Sequence, residues 1–383
     1  MENEGSPNPR TVGLWELVRY FLRLGSFGFG GPIALAGYMQ RDLVPRGWIT
    51  TDEYKQGLAF AQMMPGPLAA QLAMWIGFIR HGFISASLVG IVFILPPYLI
   101  VVFVAALYVK YNGLAVVQAL FYGIGPAVIA IIALSAIRLA RTTVERDVRL
   151  WIIFAVIAVI TFFSRTEVAL LFVAAGIIGI FMYAPFWKKR QQSRAHSIIF
   201  LTSLGVQTTG SRLVQLGAFF VKAGAFTFGS GLAIVPFLHQ GVVLDHRWLT
   251  ERQFLDAVAV GVITPGPVVI TAAFVGYLVG GLIGSAVASL GVFLPVYLFV
   301  LFVGRYIVRY RDHPTLKGFV KGATAAASGA IAGAAVILAE GSIIDATTVV
   351  IALACLAGLR VFKLPEPAMI GGAAIAGVLL YRG

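Results

Sequence analysis

Two Pro-Gly-Pro triplets, Pro65-Gly66-Pro67 and Pro265-Gly266-Pro267, sit inside apolar sequence. Proline removes a backbone donor from a helix interior and clashes with the turn before it. Pro65 drives Met64 toward extended backbone, while Pro67 suits the first turn of a helix running to Arg80. Each triplet therefore predicts a helix that ends and restarts. A restart presents unpartnered N–H groups and roughly half a positive charge, the chemistry that binds anions. Gln62, Gln71, Thr264 and Thr271 are the polar neighbours.

A second pair of motifs has the same character. FGFGGP (Phe27–Pro32) contains Gly30 and Gly31, and FTFGSG (Phe226–Gly231) contains Gly229 and Gly231. One turn earlier stand Arg23 and Lys222, both in apolar surroundings. A charge at bilayer depth is costly and marks function by default. Two helix starts supply about +1, and Arg23 with Lys222 would add two full charges, a scale suited to a desolvated dianion. The expected substrate-binding set is Arg23, Gly30, Gly31, Pro65, Gly66, Pro67 and Gln71, with Lys222, Gly229, Gly231, Pro265, Gly266, Pro267 and Thr271 in the second copy. Simple kinking, close helix packing and snorkelling to headgroups are the plainer explanations of the same residues.

The elements that hold these motifs are membrane helices. The chain is 59% hydrophobic and only 12% charged, against about 25% charged in soluble domains. Phe83–Val109, Val148–Phe163, Val168–Phe186 and Leu282–Val303 approach or exceed the roughly 20 apolar residues of a bilayer span. The opening residues, MENEGSPNPR, are polar and lack the apolar stretch of a cleavable signal. The net charge of +13 follows from loops and segment ends such as WKKRQQSR, so it signals topology and anionic headgroups, not nucleic acid. A single cysteine, Cys355, and scattered histidines supply no disulfide framework and no metal site. No cofactor is expected.

The motifs recur because the whole chain recurs, at an offset of about 200 residues. RGWITTDEY matches HRWLTERQF, and FILPPYL matches VFLPVYL, aligning Pro96 with Pro295. The expected organisation is a first repeat over 11–185, a basic linker over 186–211 and a second repeat over 212–383. Each repeat predicts a glycine-interrupted segment, a helix pair broken at Pro-Gly-Pro, two long helices and a short apolar pair. Loop charges give the relative orientation. Arg138, Arg141, Arg146 and Arg149 of the first copy match a loop holding only Glu340 and Asp345. Conversely, Lys110 stands where the second copy has Arg305, Arg309, Arg311, Lys317 and Lys321. A basic loop facing a poor one predicts opposite orientations. The fold class is thus an all-α polytopic membrane protein of two repeats, inverted in topology, with broken or re-entrant helices.

Other chemistries have weaker footing. Carboxylates fall at segment ends or loops, Asp256 being nearest to bilayer depth, nine residues before the second triplet. It is the candidate for a coupling proton. Gly229-Ser230-Gly231 resembles a nucleophile turn, but only His239 stands near it as a base, so an intramembrane enzyme is the least favoured reading. An anion channel is the other alternative.

At FGFGGP with its preceding Arg23, at LVPRGWIT (Leu43–Thr50), and at both Pro-Gly-Pro triplets, the chain resembles the chromate ion transporter family in its long, two-domain form. The likeness runs over nearly the full length. It implies a multi-pass protein of a bacterial or archaeal inner membrane that expels chromate and confers resistance. It also implies coupling to the proton motive force, with sulfate as a mimic of chromate. A homodimer is compatible with it. The second copy departs from the motif, with Thr227 in place of Gly28 and no proline after Gly231, which predicts unequal half-sites.

Overall fold

The structure, a computed structural model, describes residues 12–111, 113–144, 146–164, 168–184, 211–228, 231–310 and 313–381. The linker expected over 186–211 lies outside these residues except for Ser211, and Gly229 and Ser230 lie outside them as well. The first repeat runs α1 (Leu14–Phe27), α2 (Gly31–Leu43), α3 (Thr51–Met63), α4 (68–80), α5 (83–111), α6 (Ala115–Val144), α7 (Val148–Ser164) and α8 (Val168–Tyr183). The second runs α9 (Arg212–Phe226), α10 (Gly231–Asp245), α11 (Glu251–Ile263), α12 (268–279), α13 (282–310), α14 (Pro314–Ser342), α15 (Ala346–Arg360) and α16 (Glu366–Leu380).

The sequence alone left open whether the broken segments cross or re-enter; the packing shows that they re-enter. Glu53, in the first turn of α3, pairs with Arg80 at the end of α4. Phe60 stacks on Trp75 with ring centroids 5.5 Å apart. The two helices are antiparallel, and Pro65-Gly66-Pro67 is the tip between them. At about 1.5 Å per residue, the 13 residues of α3 reach about 20 Å, short of a roughly 30 Å hydrocarbon core. The tip therefore ends within the bilayer. The second repeat copies this hairpin in α11 and α12, with Gly261 packed on Thr271.

Local sequence explains both hairpin entries. Thr50 Oγ1 accepts from Glu53 N–H at 3.1 Å, while Thr50 N–H donates to the Glu53 carboxylate at 2.8 Å. Thr250 and Gln253 repeat this capping box at 3.2 and 3.0 Å. Each satisfies orphan donors at the start of a helix. The exits are tight turns at His81-Gly82 and Gly280-Gly281. Gly77 lies against Ser85 and Gly90 against Met74, so α5 doubles back along α4. Gly276 against Gly284 does the same for α12 and α13.

The repeats are inverted. Ser87, at the start of α5, meets Tyr297, well along α13, at 2.5 Å between hydroxyls. Tyr122, near the start of α6, reaches Asp345, just beyond the end of α14, at 2.6 Å. Equivalent helices thus run in opposite directions. Among the described residues four apolar helical spans are long enough to cross a bilayer, and they include α5, α6, most of α13, and α14. The short pairs are exchanged: α7 and α8 pack on α14, whereas α15 and α16 pack on α6. Small residues permit this closeness, as where Gly322 meets Ala175 and Gly377 meets Ala119.

Candidate functional site

The two Pro-Gly-Pro tips meet the two glycine turns of the opposite repeat. Gly66 N–H donates to the Thr227 carbonyl at 2.5 Å, and Gly266 N–H donates to the Gly28 carbonyl at 2.9 Å. Gly28 and Thr227 occupy equivalent places, so the crossed bonds follow the internal two-fold. A Cβ at Gly66 would lie 2.9 Å from Val296 Cγ2, and one at Gly266 would lie 3.0 Å from Pro97 Cγ. Val296 and Pro97 are themselves equivalent. All residues of both triplets are buried.

Backbone geometry explains the central glycines. Gly66 has φ +129° and Gly266 has φ +91°, conformations that side-chain-bearing residues rarely adopt. The prolines extend Met64 and Thr264, ending each descending helix. Beyond the first tip, Gln71 N–H bonds back to the Pro67 carbonyl at 3.0 Å. Leu68, Ala69 and Ala70 begin α4 and have no carbonyl one turn earlier to receive their N–H groups. Beyond the second tip, a tighter 3₁₀ turn lets Ile270 N–H bond to Pro267 at 3.0 Å. That consumes one donor and leaves Val268 and Val269 as the residues without such a carbonyl. The half-sites are unequal, though at a different place from the Gly28/Thr227 exchange.

Side chains shape these tips more than they line them. Gln71 is fully buried; its Nε2 donates to the Pro65 carbonyl at 2.6 Å, and its Oε1 has no partner among the described residues. Thr264 and Thr271 donate their hydroxyl protons to Val260 and Val268, at 2.7 and 2.8 Å. Those protons are directed into the helix backbone. Gln62 is exposed. Gly30 and Gly31 lie at the open turn between α1 and α2, and Gly231 is buried beside Val268. Arg23 is exposed on the outward side of α1, opposite the buried Leu17, Phe21, Leu24 and Gly25. Lys222 is half-buried on α9. The structure therefore brings the triplets and glycine turns together and leaves Arg23 pointing away.

Two further features bear on the chemistry. Asp256, on α11, is buried and accepts a 2.7 Å hydrogen bond from Tyr108, on α5 of the other repeat. Its carboxylate thus lies between repeats; only the apolar length around it hinted at that. His239 Nε2 lies 2.8 Å from the Glu251 carboxylate, within hydrogen-bond distance. The second feature is a cavity of about 500 Å³ lined by Arg138 and Arg141 of α6, by Arg360 and Lys363 at the α15–α16 turn, and by Gly30. Its residues come from distant parts of both repeats, so no local motif announces it. Among the described residues no cluster of His, Cys, Asp or Glu could hold a metal ion.

The glycine turns differ in cover. Phe29 is 40% exposed, whereas Phe228, its equivalent, is 6% exposed and packed on Phe172 and Phe319. The first turn opens to the cavity at Gly30, whereas Phe228 is covered by α8 and α14.

Comparison with known proteins agrees with the doubled architecture. The model of the chromate transporter family matches the chain twice, over residues 15–180 and 214–378. A chromate transport protein of Cupriavidus metallidurans is 50% identical over 377 residues, covering 97% of this chain and 94% of the relative. A probable chromate transport protein of Synechococcus elongatus is 47% identical over 376 residues, 96% of each chain. An uncharacterized transporter of Methanocaldococcus jannaschii is 30% identical over 296 residues, 73% of this chain and 71% of the relative. No solved structure matches.

Proposed function

The chain belongs to the chromate transporter family, and from that premise we propose that it carries a tetrahedral oxyanion, chromate first, past its paired hairpin tips. One observation carries this reading: two buried helix starts, crossed by the Gly66–Thr227 and Gly266–Gly28 hydrogen bonds. Irregular backbone at bilayer depth persists only against protein or a wet cavity. Helix starts there offer N–H groups to an anion without a titrating side chain. Sulfate, with the same shape and charge, competes. The field of Lys222 adds to this, while Arg23 acts at longer range from the outward side of α1.

Inverted repeats in unequal conformations support alternating access. Phe29 is open and its equivalent Phe228 covered; exchanging these environments opens the opposite face. The open cavity lies toward the face holding Arg80, Arg138, Arg141, Arg149, Lys317 and Lys321. The other face carries Lys110, Arg212, Arg247 and Arg252 among several carboxylates. By the positive-inside rule the richer face is cytoplasmic. Loading from that face gives efflux across the inner membrane, with resistance as its consequence. Asp256, placed between repeats with one hydroxyl donor, is the group that takes up and releases a coupling proton.

Purified protein in liposomes tests this. The expected result is saturable chromate uptake, inhibited by sulfate, that responds to an imposed pH gradient. Flux that neither saturates nor shows exchange would mean a channel, and the absence of any oxyanion flux would reject the proposal.

A further inference from the structure

The 500 Å³ cavity beside Gly30 is separate from the buried tips. Four cations line it, Arg138, Arg141, Arg360 and Lys363, against one carboxylate, Glu366. Glu366 lies 3.9 Å from Arg138, a loose pairing that leaves the lining strongly positive. Basic residues collect at a cytoplasmic face for topological reasons alone. Such residues would spread over loops; these converge on a concavity from α6 of one repeat and the α15–α16 turn of the other. Lys363 is held in left-handed backbone, φ +52°, at the apex of that turn. A cleft of one sign with low-dielectric walls focuses its field and concentrates counter-ions.

We propose that this cavity is an anion vestibule, a second binding site for a divalent tetrahedral oxyanion, from which the ion passes to the Gly28–Gly31 turn. Only the identity of its cargo rests on the transport reading. Arginine forks match two oxygens of such an ion, and Lys363 supplies a mobile point charge. Glu366 competes for Arg138 and keeps retention weak enough for onward movement. Val361 and Phe362 flank Lys363 and are 68% and 72% exposed, so the turn sits close to lipid. The phosphate of an anionic lipid shares the ligand chemistry.

The chain's single cysteine, Cys355, is buried, which makes single-cysteine reporters clean. Lys363→Cys is reacted with anionic and cationic methanethiosulfonates in neutral phosphatidylcholine vesicles, each rate scaled to free cysteine. The anionic reagent should react roughly tenfold faster, sulfate should slow it, and Arg138→Gln with Arg360→Gln should abolish the preference. Equal rates, or rates indifferent to sulfate, overturn the vestibule. Repeating the measurement with phosphatidylglycerol separates the sources: protection by that lipid with none by sulfate also overturns it. Arg360→Cys serves as the reporter if Lys363→Cys does not insert. Chromate flux in the same vesicles keeps the two readings apart. Protection without flux leaves the vestibule standing and removes the transport reading; flux without protection does the reverse.

Discussion

Gly66 of the first repeat donates its N–H to the carbonyl of Thr227 in the second, at 2.5 Å. The reciprocal bond joins Gly266 to Gly28. Each hairpin tip is thus latched to the other repeat's glycine turn at the point where buried helix starts lack carbonyl partners. Relative movement of the repeats must strain one latch or the other. A change confined to this contact should alter transport before it alters insertion.

Alanine at Gly66 or Gly266 tests that expectation. The left-handed backbone there costs a side-chain-bearing residue about 1–3 kcal/mol, and the new methyl meets Val296 or Pro97. Both variants should reach the membrane and lose most chromate uptake. Gly37→Ala, helical with open space around it, should match wild type. Uptake scaled to the amount of inserted protein decides, and normal uptake by Gly66→Ala would remove the tips from the mechanism.

Asp256→Asn keeps the shape of the Tyr108 contact and removes the ionisable proton. Uptake should continue under a chromate gradient but lose its response to imposed pH differences. Tyr108→Phe should retain the response. A pH response that survives in Asp256→Asn excludes this carboxyl as the proton carrier.

Inversion makes a directional claim for equivalent residues. Phe83 and Leu282 begin α5 and α13, and both are exposed. Cysteines placed there should be labelled by an impermeant reagent from opposite sides of sealed vesicles. Labelling from one side alone contradicts the antiparallel packing.

Access should alternate at the glycine turns. Phe29→Cys should react readily from the face of the cavity, and Phe228→Cys slowly from the other. Conditions that drive turnover should slow the first and quicken the second. Parallel changes at both positions would argue against exchange of the two conformations.

Acid stability has a local source outside the bilayer. Tyr122 donates to Asp345 at 2.6 Å, and Tyr183 donates to Asp147. These hydrogen bonds hold both carboxyls below their ordinary value of 3.8. A carboxyl lowered by folding contributes stability that is complete above the unfolded value and is lost as pH falls through the folded one. Tyr122→Phe and Tyr183→Phe should therefore lower Tm at neutral pH and converge with wild type in acid. A difference that persists at the lowest pH would show that the tyrosines act by packing instead.

Much of this architecture was legible because it depends on short-range chemistry repeated twice. Proline and glycine dictate where a helix stops, and Pro65-Gly66-Pro67 did so as expected. Thr50 and Thr250 marked the entries to both hairpins. Charge asymmetry between loops revealed inversion because orientation is a global property written in composition. The sense of the hairpins was not legible: a broken crossing and a re-entrant loop have the same sequence, and it takes contacts such as Glu53–Arg80 and Phe60–Trp75 to separate them. The position of Arg23 failed to follow from its spacing, since segments apolar all round hide which side is packed. The cavity was invisible for a different reason. Arg138 and Lys363 are more than 200 residues apart, and only the exchange of short helix pairs brings them together.

That exchange bears on how the chain is made. When residues 12–184 leave the ribosome, α6 still lacks α15 and α16, and α7 and α8 have no α14 to lie against. The early half must wait in the bilayer as an unfinished shape, with glycine-lined faces turned to lipid, until its inverted twin is synthesised. Biogenesis is therefore a closing handshake between halves, and a defect late in translation should condemn the half already inserted.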